Sequence, residues 1–152
     1  MRIENSRIQD VELIAGGLRK ADIDEIFASS HHTPDMSIGM GLDVSPYCKT
    51  VFVNHKPMAI LGLIPMTETE ACTWGFCTEE VTKHKKEFYK FSKMQLKEML
   101  KIFPVLFNYV DCRNKTSIRW LKALGAEFET AKPFGFAMIP FQKFYFRRKD
   151  NV

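Results

Sequence analysis

Three groups of residues in this chain have side chains that could do chemistry. The run Thr82-Lys83-His84-Lys85-Lys86 stands at the start of the longest amphipathic segment. Positive side chains at a helix start oppose the helix dipole, whereas the unpaired first amides of a helix attract anions. The run therefore reads either as a solvated basic turn or as a place that holds a phosphate-like group. His31 and His32 could exchange protons near neutrality, and otherwise belong to a polar loop. The thiols of Cys48, Cys72, Cys77 and Cys112 could ligate a metal or pair with one another. Their spacing lacks a CxxC pair, so a zinc site with the two histidines is not expected. Cys72 and Cys77 lie an odd number of residues apart on one expected strand, so they point to opposite faces. Free, mostly buried thiols in a reducing compartment are the expectation.

The elements that must position these groups follow from the apolar pattern. Arg2 to Ser6 is a short strand. Val11, Ile14, Ala15 and Leu18, then Ile23, Ile26 and Phe27, recur at helical spacing and give two short helices divided near Gly16-Gly17 and Asp22. Asp22 is expected to cap the second helix, with Glu25 as its capping-box partner. His31 to Pro46 is loop-like, with a short helix able to start at Thr33-Pro34-Asp35. Thr50 to Val53, Pro57 to Ile64 and Ala71 to Thr78 form an antiparallel meander. A helix from Thr82 to Phe103 follows, with Thr82 as its cap and Phe88, Phe91, Gln95, Met99 and Ile102 on one face. Val105 to Val110 reads as a buried strand. Lys115 to Leu124 is a helix capped by Asn114 and ended by Gly125. Ala126 to Thr130 and Phe134 to Phe146 are the last strands. A helix joining the third meander strand to the buried strand makes those two parallel neighbours. The expected fold class is α+β, a mixed central sheet with helices on both faces, in one domain over residues 1–152.

Composition narrows the function classes. With 152 residues, 45% hydrophobic and 26% charged, the chain is long enough to bury one core. The net charge of +4 is too small and too spread to point to nucleic acid. The longest apolar stretch, Met58 to Met66, is too short to cross a bilayer, and MRIENSRIQD lacks a signal-peptide core. A cytoplasmic protein with no membrane partner is expected.

The element order, together with NKTSIRWLKALGAEF from Asn114 to Phe128, resembles the GNAT acetyltransferase superfamily. In that family a strand ending in Asn leads into a short helix and a Gly turn. The longer phrase NYVDCRNKTSIRWLKALGAEF is most similar to the GNAT-like internal virion protein group of tailed bacteriophages. The resemblance implies acetyl-CoA as cofactor and transfer of its acetyl group to an amine on a small molecule, a peptide or a host protein. It implies that Thr78, Thr82, Lys83, Lys85 and Lys86 hold the coenzyme, that Asn114 orients its arm with help from Ser117, and that Glu79 or Glu80 manages the proton. It places His31 and His32 beside the acceptor. The family carries a glycine-rich loop between the third meander strand and the long helix, whereas Thr78 to Phe88 contains no glycine. Glycine there lets a backbone approach phosphate. Its absence, and the cluster Phe134, Phe136, Phe141, Phe144 and Phe146, which either extends the core or forms a sticky edge, support the other expectation: a non-catalytic phage protein that binds partners during virion assembly or engages a host protein. The space between the two parallel strands distinguishes them: closed or filled by side chains, it favours binding alone; open, with free N–H groups at the start of the long helix, it favours catalysis.

Overall fold

The computed structural model describes residues 1–149, so the last three residues of the expected 1–152 span lie outside the described residues. The order is β1 (Arg2–Asn5), α1 (Ile8–Ala15), α2 (Lys20–Ser30), α3 (Pro34–Val44), β2 (Tyr47–Val53), β3 (Lys56–Pro65), β4 (Glu70–Cys77), α4 (Lys85–Ile102), β5 (Val105–Asp111), α5 (Lys115–Ala123), β6 (Glu127–Phe128), β7 (Lys132–Phe134) and β8 (Ile139–Arg147). One sheet runs in the order β1-β2-β3-β4-β5-β8-β6, with β7 also on β8. All pairings are antiparallel except β4 with β5. The α+β class and the parallel pair are as the sequence predicts.

The meander forms because its centre is apolar on both sides. Met58, Ala59, Ile60 and Leu63 of β3 are buried, as a strand covered on both faces requires. Asn54 and His55 both have positive φ (50° and 65°), the geometry of a two-residue hairpin turn whose twist matches the strands. Two cores result. Leu63, Ala71, Met99, Leu106, Ile118 and Phe144 pack on the α4/α5 face. Val11, Ile14, Ile26, Ile38 and Ile60 pack on the α1–α3 face.

Several boundaries differ from the sequence reading. The segment read as a loop after His31 is largely helix: α3 runs the full Pro34–Val44 despite Gly39 and Gly41, because Ile38 is wholly buried against the sheet. Packing of one apolar face outweighs weak intrinsic propensity. Arg19, not Asp22, is the residue before α2, and Asp22 lies inside that helix. Glu79–Lys83 is a separate 3-10 turn, so the long helix starts at Lys85. The Thr82 hydroxyl donates to the Glu79 carbonyl at 2.8 Å instead of capping the helix. The final strand is broken into the β7–β8 hairpin, whose Phe136 and Ala137 amides donate to the Ser29 and Ala28 carbonyls at the end of α2.

Trp74 fixes α3 over the sheet. Its indole N–H donates to Ser45 Oγ at 2.8 Å, and its ring lies across Gly62 of β3 and Gly41 of α3. A Cβ on Gly62 would stand 2.6 Å from the ring. Gly62→Ala is therefore expected to cost about 1–3 kcal/mol through overpacking, read as a lower midpoint in urea. An unchanged midpoint would show that the ring has room to move.

Candidate functional site

β4 and β5 pair only over Glu70–Cys72 and Val105–Phe107 and then part. Side chains explain where. Asn108 donates through Nδ2 to the Thr73 carbonyl at 2.7 Å, and its Oδ1 accepts the Tyr109 N–H at 2.8 Å. One side chain thus satisfies an acceptor of β4 and a donor of β5 that a continued ladder would have joined. Further along, the Asp111 N–H donates to Glu25 Oε1 of α2 at 2.6 Å. Alternate residues of a strand face the same neighbour. Thr78 N–H donates towards β3, to the Met58 carbonyl, and Thr73 presents its carbonyl towards β5. By the same alternation Gly75 and Cys77 turn their N–H groups, and Gly75 its C=O, into the gap, where no protein group among the described residues pairs with them; the Cys77 C=O faces the Arg19 N–H across the Leu18–Thr78 bridge.

The gap opens on both faces of the sheet. On the α4/α5 face a cavity of about 260 Å³ is walled by Leu96, Met99, Trp120 and Leu121, with Gly75 and Cys77 along its edge. On the α2/α3 face a cavity of about 440 Å³ is walled by Ser29, His32, Ser37 and Met40. Glu25, Trp74, Phe76, Asn108 and Tyr109 line both.

The ends of the parted strands are crossed by the segment between α1 and α2. Leu18 bridges antiparallel to Thr78, and the Glu79 N–H donates to the Gly17 carbonyl at 3.0 Å. Arg19 then reaches α5, donating to Ser117 Oγ at 3.2 Å. Residues Gly17 to Arg19 thus form a strap from the end of β4 to the start of α5.

A carboxylate network anchors the strap. Asp22 accepts from Arg19 Nε and a terminal guanidinium nitrogen at 2.9 and 2.8 Å, and from Asn114 Nδ2 at 3.1 Å. Asn114 Oδ1 also accepts the Ser117 N–H at 3.4 Å, so the expected cap of α5 is present. Buried Asp111 is held by Arg113 at 2.7 Å. Glu25 sits beside both acids. Burial chiefly, and then the charges of Asp22 and Asp111, push its carboxyl from the ordinary 4.5 up to about 7, against the lowering effect of the Asp111 N–H. Burial likewise raises the Cys77 thiol to about 12, so it stays protonated.

Of the residues named from the sequence, Ser117 lines the cleft; Thr78, Glu79, Glu80, Thr82, Lys83, Lys85, Lys86 and Asn114 do not. Thr78 is buried and bound to Met58. Lys83 pairs with Glu80 at 3.2 Å and holds that carboxyl below the usual carboxylate range, so Glu80 stays ionised. Lys85 and Lys86 are exposed. His32 lines the α2/α3 cavity, while His31 stacks on the Phe136 ring with centroids 4.4 Å apart. Sequence reasoning missed Arg19 and Glu25. The available signal was Asp22 and Glu25 sharing a helix face with apolar Ile26, a place where an acid needs a partner.

Acetyl-CoA needs two grips, a strand edge for its amide arm and free amides for its pyrophosphate. Gly75 and Cys77 offer the first. The second is met only in part. The amides of Thr78, Glu79, Val81 and His84 are already bonded to carbonyls of the chain, whereas Phe88 is the first amide of α4 bonded back to the preceding turn, so those of Lys85, Lys86 and Glu87 are left to meet an anion. Glu79 and Glu80 add negative charge to the turn before them.

A protein-family model described as "Bacteriophage T7, probable scaffold protein Gp13" matches residues 56–132. Comparison of the sequence with curated proteins finds no match. Among solved structures, aminoglycoside 6'-acetyltransferase type Ii aligns at TM-score 0.71 and 12% identity, covering 97% of each chain. A spermidine N-acetyltransferase chimera from Vibrio cholerae and hSSAT aligns at 0.70 and 12% identity, covering 96% of this chain and 94% of that one. Ribosomal-protein-alanine N-acetyltransferase from Brucella melitensis aligns at 0.68 and 10% identity, covering 97% and 100%. These likenesses show the GNAT fold. Among the described residues no helix is long and apolar enough to cross a membrane.

Proposed function

Because the chain belongs to the family described as bacteriophage T7 probable scaffold protein Gp13, we propose that it serves virion assembly by binding other proteins, on a GNAT fold that has given up its coenzyme grip. The observation that carries this reading is the strap. Gly17 and Leu18 occupy the end of β4, and Arg19 ties that end to Ser117 of α5. With Thr78, Glu79, Val81 and His84 already paired, a phosphate would find little beyond the first amides of α4. In this reading Thr82, Lys83, Lys85 and Lys86 form a solvated basic turn, and Asn114 and Ser117 hold the strap. The protein is a single domain working in the host cytoplasm or the assembling particle, and its partners are virion or host proteins.

A second reading, acyl transfer to an amine, is favoured by the open gap between β4 and β5 and by Glu25. A carboxyl group titrating near 7 at the junction of two cavities is suited to accept a proton. In that reading Glu25, not Glu79 or Glu80, takes the proton.

The assembly role is tested by infection with a phage lacking this gene. Incomplete particles should accumulate, and the chain supplied from a plasmid should restore infectious yield. A normal yield without the gene would overturn the proposal.

A further inference from the structure

The geometry points to an extended peptide segment of a partner protein as the occupant of the gap between β4 and β5. This deepens the binding reading above and rests on it. Gly75 and Cys77 stand two residues apart on one edge and present their N–H groups, with the Gly75 C=O, to the same side. That repeat matches the pairing interval of a β-strand. β5 does not compete for these groups, because Asn108 and Glu25 already serve the Tyr109 and Asp111 amides. An incoming strand therefore pairs with β4.

The two cavities supply the other half of the match. A strand sends successive side chains to opposite faces, and here each face has a cavity opening from the same gap. The α4/α5 side, with Leu96, Met99, Trp120 and Leu121, suits apolar side chains. The α2/α3 side adds Ser29, His32 and Ser37 to Glu25, which lines both cavities but enters the gap from α2 on this side, so basic side chains placed here can donate to its carboxylate. The preferred ligand is thus an extended segment alternating apolar and basic residues. Such a site uses the edge that the GNAT fold leaves open and requires nothing of the missing phosphate grip.

The test is selection of binders to the full chain from a display library of random heptapeptides. Enriched peptides should alternate apolar with basic residues. On binding, the Gly75 and Cys77 amides should shift in NMR spectra and exchange with solvent more slowly. N-methylation of one pairing amide of the peptide should weaken binding about tenfold, roughly the worth of one hydrogen bond. This modification leaves the protein untouched, so folding defects cannot imitate the result. A library that yields no binders, a footprint away from β4, or N-methylated peptides that bind equally well would each overturn the inference. A failed selection alongside incomplete particles in the gene deletion would remove the cleft as the docking place while leaving the assembly role standing.

Discussion

Replacing Asp22 with alanine should cost about 3–5 kcal/mol, the range for removing one partner of a buried ion pair. Asp22 is 7% exposed overall, and the partner guanidinium is 23% exposed. Its carboxylate accepts two bonds from Arg19 and one from Asn114. Alanine leaves the Arg19 guanidinium with Ser117 Oγ as its remaining acceptor and the Asn114 Nδ2 with none, and a buried donor that loses its acceptor costs more than one never placed there. The strap should loosen with it, because Arg19 loses the group that aims it at Ser117. Chemical unfolding of Asp22→Ala measures the cost, and amide exchange at Glu79, whose N–H is held by the Gly17 carbonyl, reports the strap. A loss under about 1 kcal/mol, the scale of an exposed ion pair, would mean that water already screens the network.

Neutralising Glu25 should have the opposite sign. In the unfolded chain this carboxyl loses its proton near 4.5, whereas in the folded chain it keeps it until about 7. Between those values the unfolded state binds fewer protons, so stability is greatest at low pH and falls as pH rises through the folded pKa. At about 1.4 kcal/mol per pKa unit, the ionised group costs the native state about 3 kcal/mol at pH 8. Glu25→Gln keeps an oxygen for the Asp111 N–H and removes the charge. It is therefore expected to stabilise the protein by up to that amount at pH 8 and to change little at pH 4. Thermal unfolding at the two pH values checks this. Equal effects at both would show that the carboxyl titrates normally and that the second reading has lost its proton acceptor.

The contrast between these two acids shows what the sequence could and could not reveal. The meander was legible because Met58 to Ile64 is continuously apolar and Asn54-His55 suits a tight turn. The start of α5 was legible because Asn114 and Ser117 are three residues apart and their bond is local. The site was not. Glu25 meets Asp111 across 86 positions, Asp22 meets Asn114 across 92, and Arg19 meets Ser117 across 98. No local pattern encodes such pairings, and in the linear chain Asp22 and Glu25 read equally well as a helix start. Likewise the basic run near Thr82 suggested a phosphate grip, yet the amides of Thr78, Glu79, Val81 and His84 around it are taken by Met58, Gly17 and the 3-10 turn, which leaves only the first amides of α4. α3 was hidden by Gly39 and Gly41, whose poor helix propensity is overcome by burial of Ile38 and by the close approach of Trp74 to Gly41.

The central claim is that this GNAT fold binds proteins and has lost its hold on the coenzyme. It is tested most directly by the melting temperature of the full chain with and without millimolar acetyl-CoA. A ligand that binds the native state must raise it, by an amount equivalent to about 2.7 kcal/mol when present at a hundred times its dissociation constant. An unchanged melting temperature is the predicted result. A rise of several degrees would contradict the account and restore acyl transfer as the function of the cleft.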